Sequence, residues 1–403
     1  MVEFKKITIS GKTQEDFMMI PIPDIDLSDV YDDAFSSEIE TYRHYTSIFV
    51  DQIFVHHFVE TGLITEKSHS ELVDPDSHPS LTAYHFTCKL IAYYLDRGIL
   101  TVAENGYLSV KHELEDQDPA DEKLNRFLAK NPEKGNFFEI LRNIRDVSGQ
   151  VLFKGEDALL TLANDSFRQA MKLWEDLMLT AKVKQPCHQL ILRAFREQAL
   201  SKESITVFEG GAGVGSVLRD GLHDPEFMSV LEKVKRYYFT DISLSLIKMG
   251  REALRQKLPE ELFTRIEFKT ANLDKLLVDE QDFTRESSVD LIILEHVLYD
   301  VIDLDKTLKL FHRMLKPDGF LVFTMAFRTR PGNFFIFEYL QSTFQSYHHA
   351  RLEPGYRENI GYLTLDEWHK SLCRAGFENY RAYPEVQDHE GWPYGGILAI
   401  PSK

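Results

Sequence analysis

Apolar residues are spaced in two different ways along the chain. Up to about residue 200 they recur at helical intervals. Phe49, Val50, Ile53, Phe54 and Phe58 mark a helix over 41–61 that Gly62 can end, and Phe167, Met171 and Trp174 fall on the helical periodicity of 124–200. From about 204 short apolar runs alternate with amphipathic stretches. Strands are expected at 205–209, 236–240, 265–270, 289–294 and 319–325, with helices at 217–234, 243–257 and 304–315. Gly396–Ile400 reads as a late strand. Such alternation predicts βαβ units and a parallel sheet covered by helices.

The expected fold is therefore α/β. A mostly parallel, Rossmann-like sheet domain fills 186–403, and a mainly helical N-terminal domain fills 1–185. The boundary falls within 183–190, around Pro186. Residues 24–40 carry seven acidic side chains and no basic one, and read as a solvated lead-in. In 80–110 a helix with Leu90, Ile91, Tyr94 and Leu95 runs into Arg97-Gly98. Two short strands, 99–102 and 107–110, then flank Asn105-Gly106, a strong hairpin signal. Helix plus hairpin is a winged-helix-like unit, which serves either DNA binding or a structural, lid or dimerisation role. The polar, acidic stretch 112–122 reads as a loop.

Charge decides between those roles. A formal net charge of -18 over 403 residues lacks the basic surface of a nucleic-acid binder, and it disfavours anionic membrane as well. Cys88, Cys187 and Cys373 are far apart and form no CxxC pair, so neither a metal site nor a disulfide framework is expected. No signal-like or membrane-spanning apolar stretch is evident, and a cytoplasmic location is the expectation.

The chemistry begins at Ile205-Thr-Val-Phe-Glu-Gly-Gly-Ala-Gly-Val-Gly215, a strand that breaks into a glycine-rich turn before a helix. Gly211, Gly213 and Gly215 let the backbone approach a ligand closely. The dinucleotide fingerprint GxGxxG would need glycine at 216, where this chain has Ser216. Glu209 stands ahead of the spaced glycines; it would repel a pyrophosphate but can help hold a sulfonium cofactor. Tyr237-Tyr-Phe-Thr-Asp241 then ends in an acid placed to take ribose hydroxyls. Asp241 could instead be a helix cap.

These segments, with Asp290–Asp300 and Leu315-Lys-Pro-Asp-Gly319, resemble class I S-adenosylmethionine (SAM)-dependent methyltransferases. They are most similar to the methyltransferase domains of polyketide synthases and related carrier-protein assembly lines. The similarity spans roughly 150–400, and includes Gly155-Glu-Asp157, Tyr362–Trp368 and Ala375-Gly-Phe377. The 80–110 unit also resembles the N-terminal module of small-molecule O-methyltransferases. The resemblance implies SAM as cofactor, held by Glu209, Gly211, Gly213, Gly215, Asp241 and Glu295. It implies a small-molecule or carrier-tethered acyl acceptor. The family's adenine-binding Asp is replaced by Asn272, or by Asp274 two residues on; an amide oxygen can accept the same hydrogen bond.

The catalytic positions depart further. The look-alike families place His where this chain has Tyr299, and carbon methylators pair it with a Glu near the place of Met325. A hydroxyl or carbon acid still needs a base. Tyr299 is then expected to orient the acceptor, with His296 or His349 taking the proton. His348-His349 could equally be an exposed helical pair. Phe327, Phe334, Phe335, Phe337, Tyr339 and Tyr347 would suit an apolar acceptor or simply fill core. The missing pair favours O-methylation over C-methylation of a β-ketoacyl chain. It also leaves room for a catalytically silent SAM-fold protein that binds partners. Oligomeric state is not legible.

Overall fold

The computed structural model describes residues 21–110, 120–132, 135–158, 184–278, 280–328, 338–339, 341–384 and 394–402. Phe167, Met171, Trp174, Phe334, Phe335 and Phe337 lie outside them, as does most of the expected 112–122 loop.

The N-terminal half is helical around one hairpin. Helix α1 (Asp33–Phe54) starts earlier than its apolar spacing suggests, because the Asp32 side chain accepts from Phe35 N at 2.7 Å and caps it. A π-turn over Val55–Val59 carries it to Gly62, whose φ of 76° ends the run. Helix α2 (Leu81–Asp96) leads into strands β1 (Leu100–Val102) and β2 (Leu108–Val110), which pair antiparallel with Gly106 at φ 81° in the turn. The helix and hairpin are as expected. Helix α3 (Gly135–Lys154) packs beside α1 and α2. The acidic lead-in is not merely solvated. Ile25 and Leu27 are buried, Asp29 pairs with Arg193, and Glu38 is buried beneath the Tyr42 hydroxyl. Apolar residues between the acids pull the segment onto the fold.

Helix α4 (Gln185–Leu200), with Pro186 in its first turn, opens the α/β half. There follow β3 (Ile205–Gly210), α5 (Ser216–Gly221), β4 (Val234–Asp241), α6 (Leu244–Arg255) and β5 (Ile266–Thr270). Then come β6 (Val289–Glu295), α7 (Leu304–Met314), β7 (Leu315–Ala326), α8 (Leu365–Ala375), β8 (Asn379–Tyr383) and β9 (Tyr394–Ile400). The sheet has seven strands in the order β5-β4-β3-β6-β7-β9-β8. The first five in that order are parallel, and β9 runs antiparallel to both neighbours. Two expectations need correction. The helix over 217–234 is broken, because Asp224 caps a new short helix with Pro225 in its first turn. Strand β8 carries no continuous apolar run; it is an edge strand held by pairing with β9.

Alternation along the strands builds a core on each face. Val207, Leu291, Ile293 and Val322 pack with α4, α5 and α6, whereas Phe208, Ile292, Leu294 and Phe323 pack with Phe311, Trp368 and their neighbours. The second core runs on without a break into Phe35, Phe49, Phe54, Phe86 and Phe138. The N-terminal helices therefore share their apolar interior with one face of the sheet. Among the described residues no helix is long and apolar enough to cross a membrane.

Candidate active site

The carboxyl ends of β3, β4, β5 and β6 meet at one edge of the sheet, the position where parallel α/β sheets take ligands. Gly211, Gly213 and Gly215 have φ of 66°, 56° and 82°, a left-handed path that L side chains resist. Each glycine has its own reason. A Cβ on Gly211 would lie 2.2 Å from Val297 and one on Gly215 would lie 3.1 Å from Phe239, but one on Gly213 would meet nothing within 4 Å. Gly213 thus faces open space. Asp241 fixes the loop, since its Oδ2 accepts from Gly213 N at 2.9 Å while Oδ1 accepts from Ser243 N at 2.7 Å. Ile242 and Leu244 are exposed beside it.

Glu209 lies deeper than its motif suggests. It is 2% exposed and accepts from the Tyr237 hydroxyl at 2.7 Å. Burial pushes its pKa up to about 8, partly offset by that hydrogen bond. Through Tyr237 it ties the end of β3 to β4 beneath the loop. Asn272 follows β5 beside Asp241, whose carbonyl accepts from Ala271 N at 2.9 Å. Both candidates for the adenine contact are engaged within the chain: Asn272 Oδ1 accepts from Asp274 N at 3.0 Å and Asp274 Oδ1 from Ile302 N at 2.7 Å.

Glu295, at the end of β6, is fully engaged. His188 Nε2 bonds its Oε1 at 2.8 Å and Ser216 Oγ donates to its Oε2 at 2.6 Å, while His188 Nδ1 reaches Asp220 at 3.1 Å. Burial alone would lower the His188 pKa; Glu295 and Asp220 outweigh it and raise it to about 10. Burial likewise works against ionised Glu295, and His188 reverses it, holding the carboxylate below its usual range. Ser216, which spoils the dinucleotide fingerprint, therefore anchors the glycine loop to β6.

His296 has φ 53°, a conformation a non-glycine residue keeps only when its surroundings hold it, at a cost of about 1–3 kcal/mol. Its backbone N–H bonds Thr324 O on β7 at 2.8 Å. Its ring lies 6.4 Å from Tyr299 and 5.8 Å from Tyr394, and Nε2 is 2.9 Å from Lys184 Nζ. Burial, then Lys184, pushes its pKa well below the usual imidazole value. Tyr299 is buried against Tyr362 and Tyr347, with ring centroids 4.6 and 5.8 Å away. Burial, then Asp300, holds its phenol pKa far above the ordinary value, so the hydroxyl keeps its proton. Met325 is buried in β7 opposite Gly395.

The structure does not bring His349 into this group. It is exposed, and among the described residues no hydrogen bond or ring contact joins it to Tyr299 or His296. The two adjacent histidines are also not an exposed pair: His348 is buried, stacked on His85 at 5.2 Å, with Nε2 on Ser342 O at 2.8 Å. Of the expected aromatic lining, Tyr347 faces Tyr299, while Tyr339 packs toward Phe86 of α2. Sequence reasoning missed Lys184 and His188, because nothing local marks a lysine or a histidine that meets β6 more than a hundred residues away. No group of His, Cys, Asp and Glu among the described residues could hold a metal ion.

A sheet of this order, with a left-handed glycine loop after β3 and a carboxylate closing β4, defines a class I SAM-dependent methyltransferase. The residues fit the cofactor: Gly213 leaves the space and Asp241 the acceptor. A family model described as "Methyltransferase domain" matches residues 179–382, and the chain belongs to that family. Similar sequences include a highly reducing polyketide synthase, GPY1, of Gibberella fujikuroi, 27% identical over 57% of this chain and 8% of the synthase. Methyltransferase calH of Penicillium decumbens is 29% identical over 52% of this chain and 53% of its own length. The chain thus matches a small part of the synthase and about half of calH. Among solved structures, the CurJ carbon methyltransferase shares the fold at TM-score 0.71 and 18% identity, covering 94% of this chain and 96% of that one. The trans-methyltransferase CalH, solved with S-adenosylhomocysteine (SAH), shares it at TM-score 0.61 and 16% identity over 92% and 93%.

Proposed function

We propose that the chain transfers the methyl group of SAM to a small molecule or to a polyketide-like acyl chain tethered to a carrier protein. The observation that carries this reading is the left-handed glycine loop pinned by Asp241, with open space beyond Gly213. Bound there, SAM supplies a methyl carbon already activated by sulfonium. Gly211, Gly213, Gly215, Asp241 and Asn272 form its cradle, and Glu209 and Glu295 brace the cradle from behind. What remains for the chain is orientation and exclusion of water. Tyr299 stays protonated and orients the acceptor through its hydroxyl. The polyketide acceptor class rests on similarity to polyketide synthase sequences.

An oxygen acceptor is the reading favoured by Tyr299 and Met325, at the positions the family resemblance gives to the His and Glu of carbon methylators. A carbon acceptor is favoured by the shared fold with proteins described as carbon methyltransferases. Residues 1–185 are proposed to form the domain that closes the mouth of the 186–403 domain. Lys89 of α2 reaches to 3.7 Å from the buried Glu338, beside Tyr347.

The test is transfer of isotope from methyl-labelled SAM to acetoacetyl-N-acetylcysteamine thioester, with the product analysed for O- or C-methylation. Labelled product is expected. SAM binding with no transfer to this thioester, to carrier-bound acyl thioesters or to small-molecule hydroxyl acceptors would instead leave a silent, partner-binding protein.

A further inference from the structure

A buried lysine that neither the motif nor the family resemblance assigns lies against His296. Lys184 sits at the start of α4, 9% exposed, and its Nζ lies 2.9 Å from His296 Nε2 and 5.1 Å from the centre of the Tyr394 ring. We infer that Lys184 is the proton acceptor of the methyl transfer, with His296 holding its amine in place. The inference rests on the methyltransferase reading above.

The geometry of His296 supports it. This residue accepts a left-handed backbone directly after β6, and that turn brings its ring to Lys184, Tyr299 and Tyr394. An imidazole whose Nε2 already accepts an N–H from the lysine amine is a poor base. An amine whose N–H points at that nitrogen keeps its lone pair for another partner. A lysine moved away from solvent loses charge more readily than one in water. Every titratable group that faces the pair is accounted for. Cys187, on the next turn of α4, has Sγ 3.7 Å from His296 Nε2. Glu295 precedes His296, but His188 and Ser216 engage both of its carboxylate oxygens. Tyr299 and Tyr394 contribute phenols that stay protonated. Burial lowers the Lys184 pKa and outweighs Cys187 and Glu295, which raise it, while His188 holds the Glu295 carboxylate.

The step balances. The O–H or C–H proton of the acceptor passes to the Nζ lone pair of neutral Lys184. The electron pair left on the acceptor forms the bond to the methyl carbon. The electrons of the breaking carbon–sulfur bond remain on sulfur, leaving SAH. Lysine so placed supplies the base that Tyr299 and Met325 do not, and it serves an oxygen or a carbon acid.

Two measurements on the full chain test this. In carbon–proton NMR of protein labelled at lysine Cε, the Lys184 peak is identified by its loss in Lys184→Met. It should titrate below 10.5, the ordinary lysine value, and move when His296→Gln removes its imidazole partner. A peak that titrates at the ordinary value overturns the proposal whatever the acceptor is. In D2O with SAH bound, α-proton exchange of acetoacetyl-N-acetylcysteamine thioester should follow the same titration. Lys184→Met should slow it roughly 100- to 10,000-fold while SAH affinity stays within a few-fold. Wild-type exchange rates in Lys184→Met overturn the proposal. If the wild type leaves this thioester untouched, the acceptor reading fails and the titration alone decides Lys184.

Discussion

His188 and Glu295 form a buried ion pair, 2.8 Å long, between helix α4 and the end of strand β6, with side chains 1% and 5% exposed. Ser216 and Asp220 extend it in both directions, so the helix after the glycine loop, α4 and β6 are tied at one point. Removing one partner leaves the other charge buried. His188→Ala should therefore lower unfolding stability by about 3–5 kcal/mol, measured by urea denaturation.

The same pair dictates a pH dependence. His188 is raised from 6.5 to about 10, so its contribution is complete below 6.5 and fades as pH rises through 10. Glu295 is lowered from 4.5, so its contribution is complete above 4.5 and fades as pH falls through its lowered value. The stability gap between wild type and His188→Gln should be widest between about pH 4.5 and 6.5 and should narrow toward pH 10. A gap that widens with alkalinity would contradict the assignment.

Glu209 has the opposite sign. Its pKa rises from 4.5 to about 8 on folding, so the unfolded chain sheds the proton first and the folded state loses ground between those values. Glu209→Gln keeps an acceptor for Tyr237 and cannot titrate. Its stability relative to wild type should climb across that range by on the order of 1 kcal/mol or more, followed by thermal unfolding at fixed ionic strength.

Gly213→Val should separate binding from folding. The added side chain meets open space, so the penalty on the free protein is backbone strain at φ 56°, about 1–2 kcal/mol. The branched group would occupy the cofactor's place. Calorimetry should show SAM and SAH affinity down at least 100-fold in a protein that still unfolds cooperatively, and NAD should give no heat with either form.

Tyr299→Phe removes one hydroxyl and leaves the ring contacts with Tyr362 and Tyr347. The expected loss is one hydrogen bond, about 0.5–1.5 kcal/mol, or on the order of tenfold in turnover with SAM affinity unchanged. Total loss of turnover would make Tyr299 the reacting group rather than an orienting one.

The mouth contact can be probed from the N-terminal side. Lys89→Met keeps the stem of the side chain beside Tyr347 and removes the ammonium near Glu338. If α2 helps close the site, turnover should fall several-fold more than SAM affinity, read by steady-state kinetics against calorimetry. Equal losses would indicate general destabilisation.

Parts of the molecule governed by local pattern were legible in the sequence. The apolar runs of β3, β4 and β6 and the glycine spacing located the cofactor edge, and Asn105-Gly106 located the hairpin. Asp241 was legible as the acid that closes β4, where the structure has it accepting from Gly213 N in the glycine loop. His296 was legible as a candidate, but its neighbour Lys184 and the Glu295 partner His188 were not, since they meet β6 and the turn after it only through tertiary packing. Burial was equally hidden: Glu209 reads as an open carboxylate in the motif, whereas the sheet encloses it and Tyr237 bonds it. Edge strand β8 escaped because its pairing with β9, not its own hydrophobicity, makes it a strand.

The position of β9 has a consequence for synthesis. This strand lies between β7 and β8, and it brings Tyr394 to the ring of His296. Residues 394–400 leave the ribosome well after β7, at roughly 5–20 residues per second. Until they arrive, the inner edge of β7 offers Leu321–Ala326 as an unpaired template. The nascent chain therefore passes through an interval, several seconds long, in which an apolar strand is open to a neighbouring chain and the Tyr394 wall of the site is missing. Chains cut short before β9 would be trapped in that interval as aggregation-prone, inactive species.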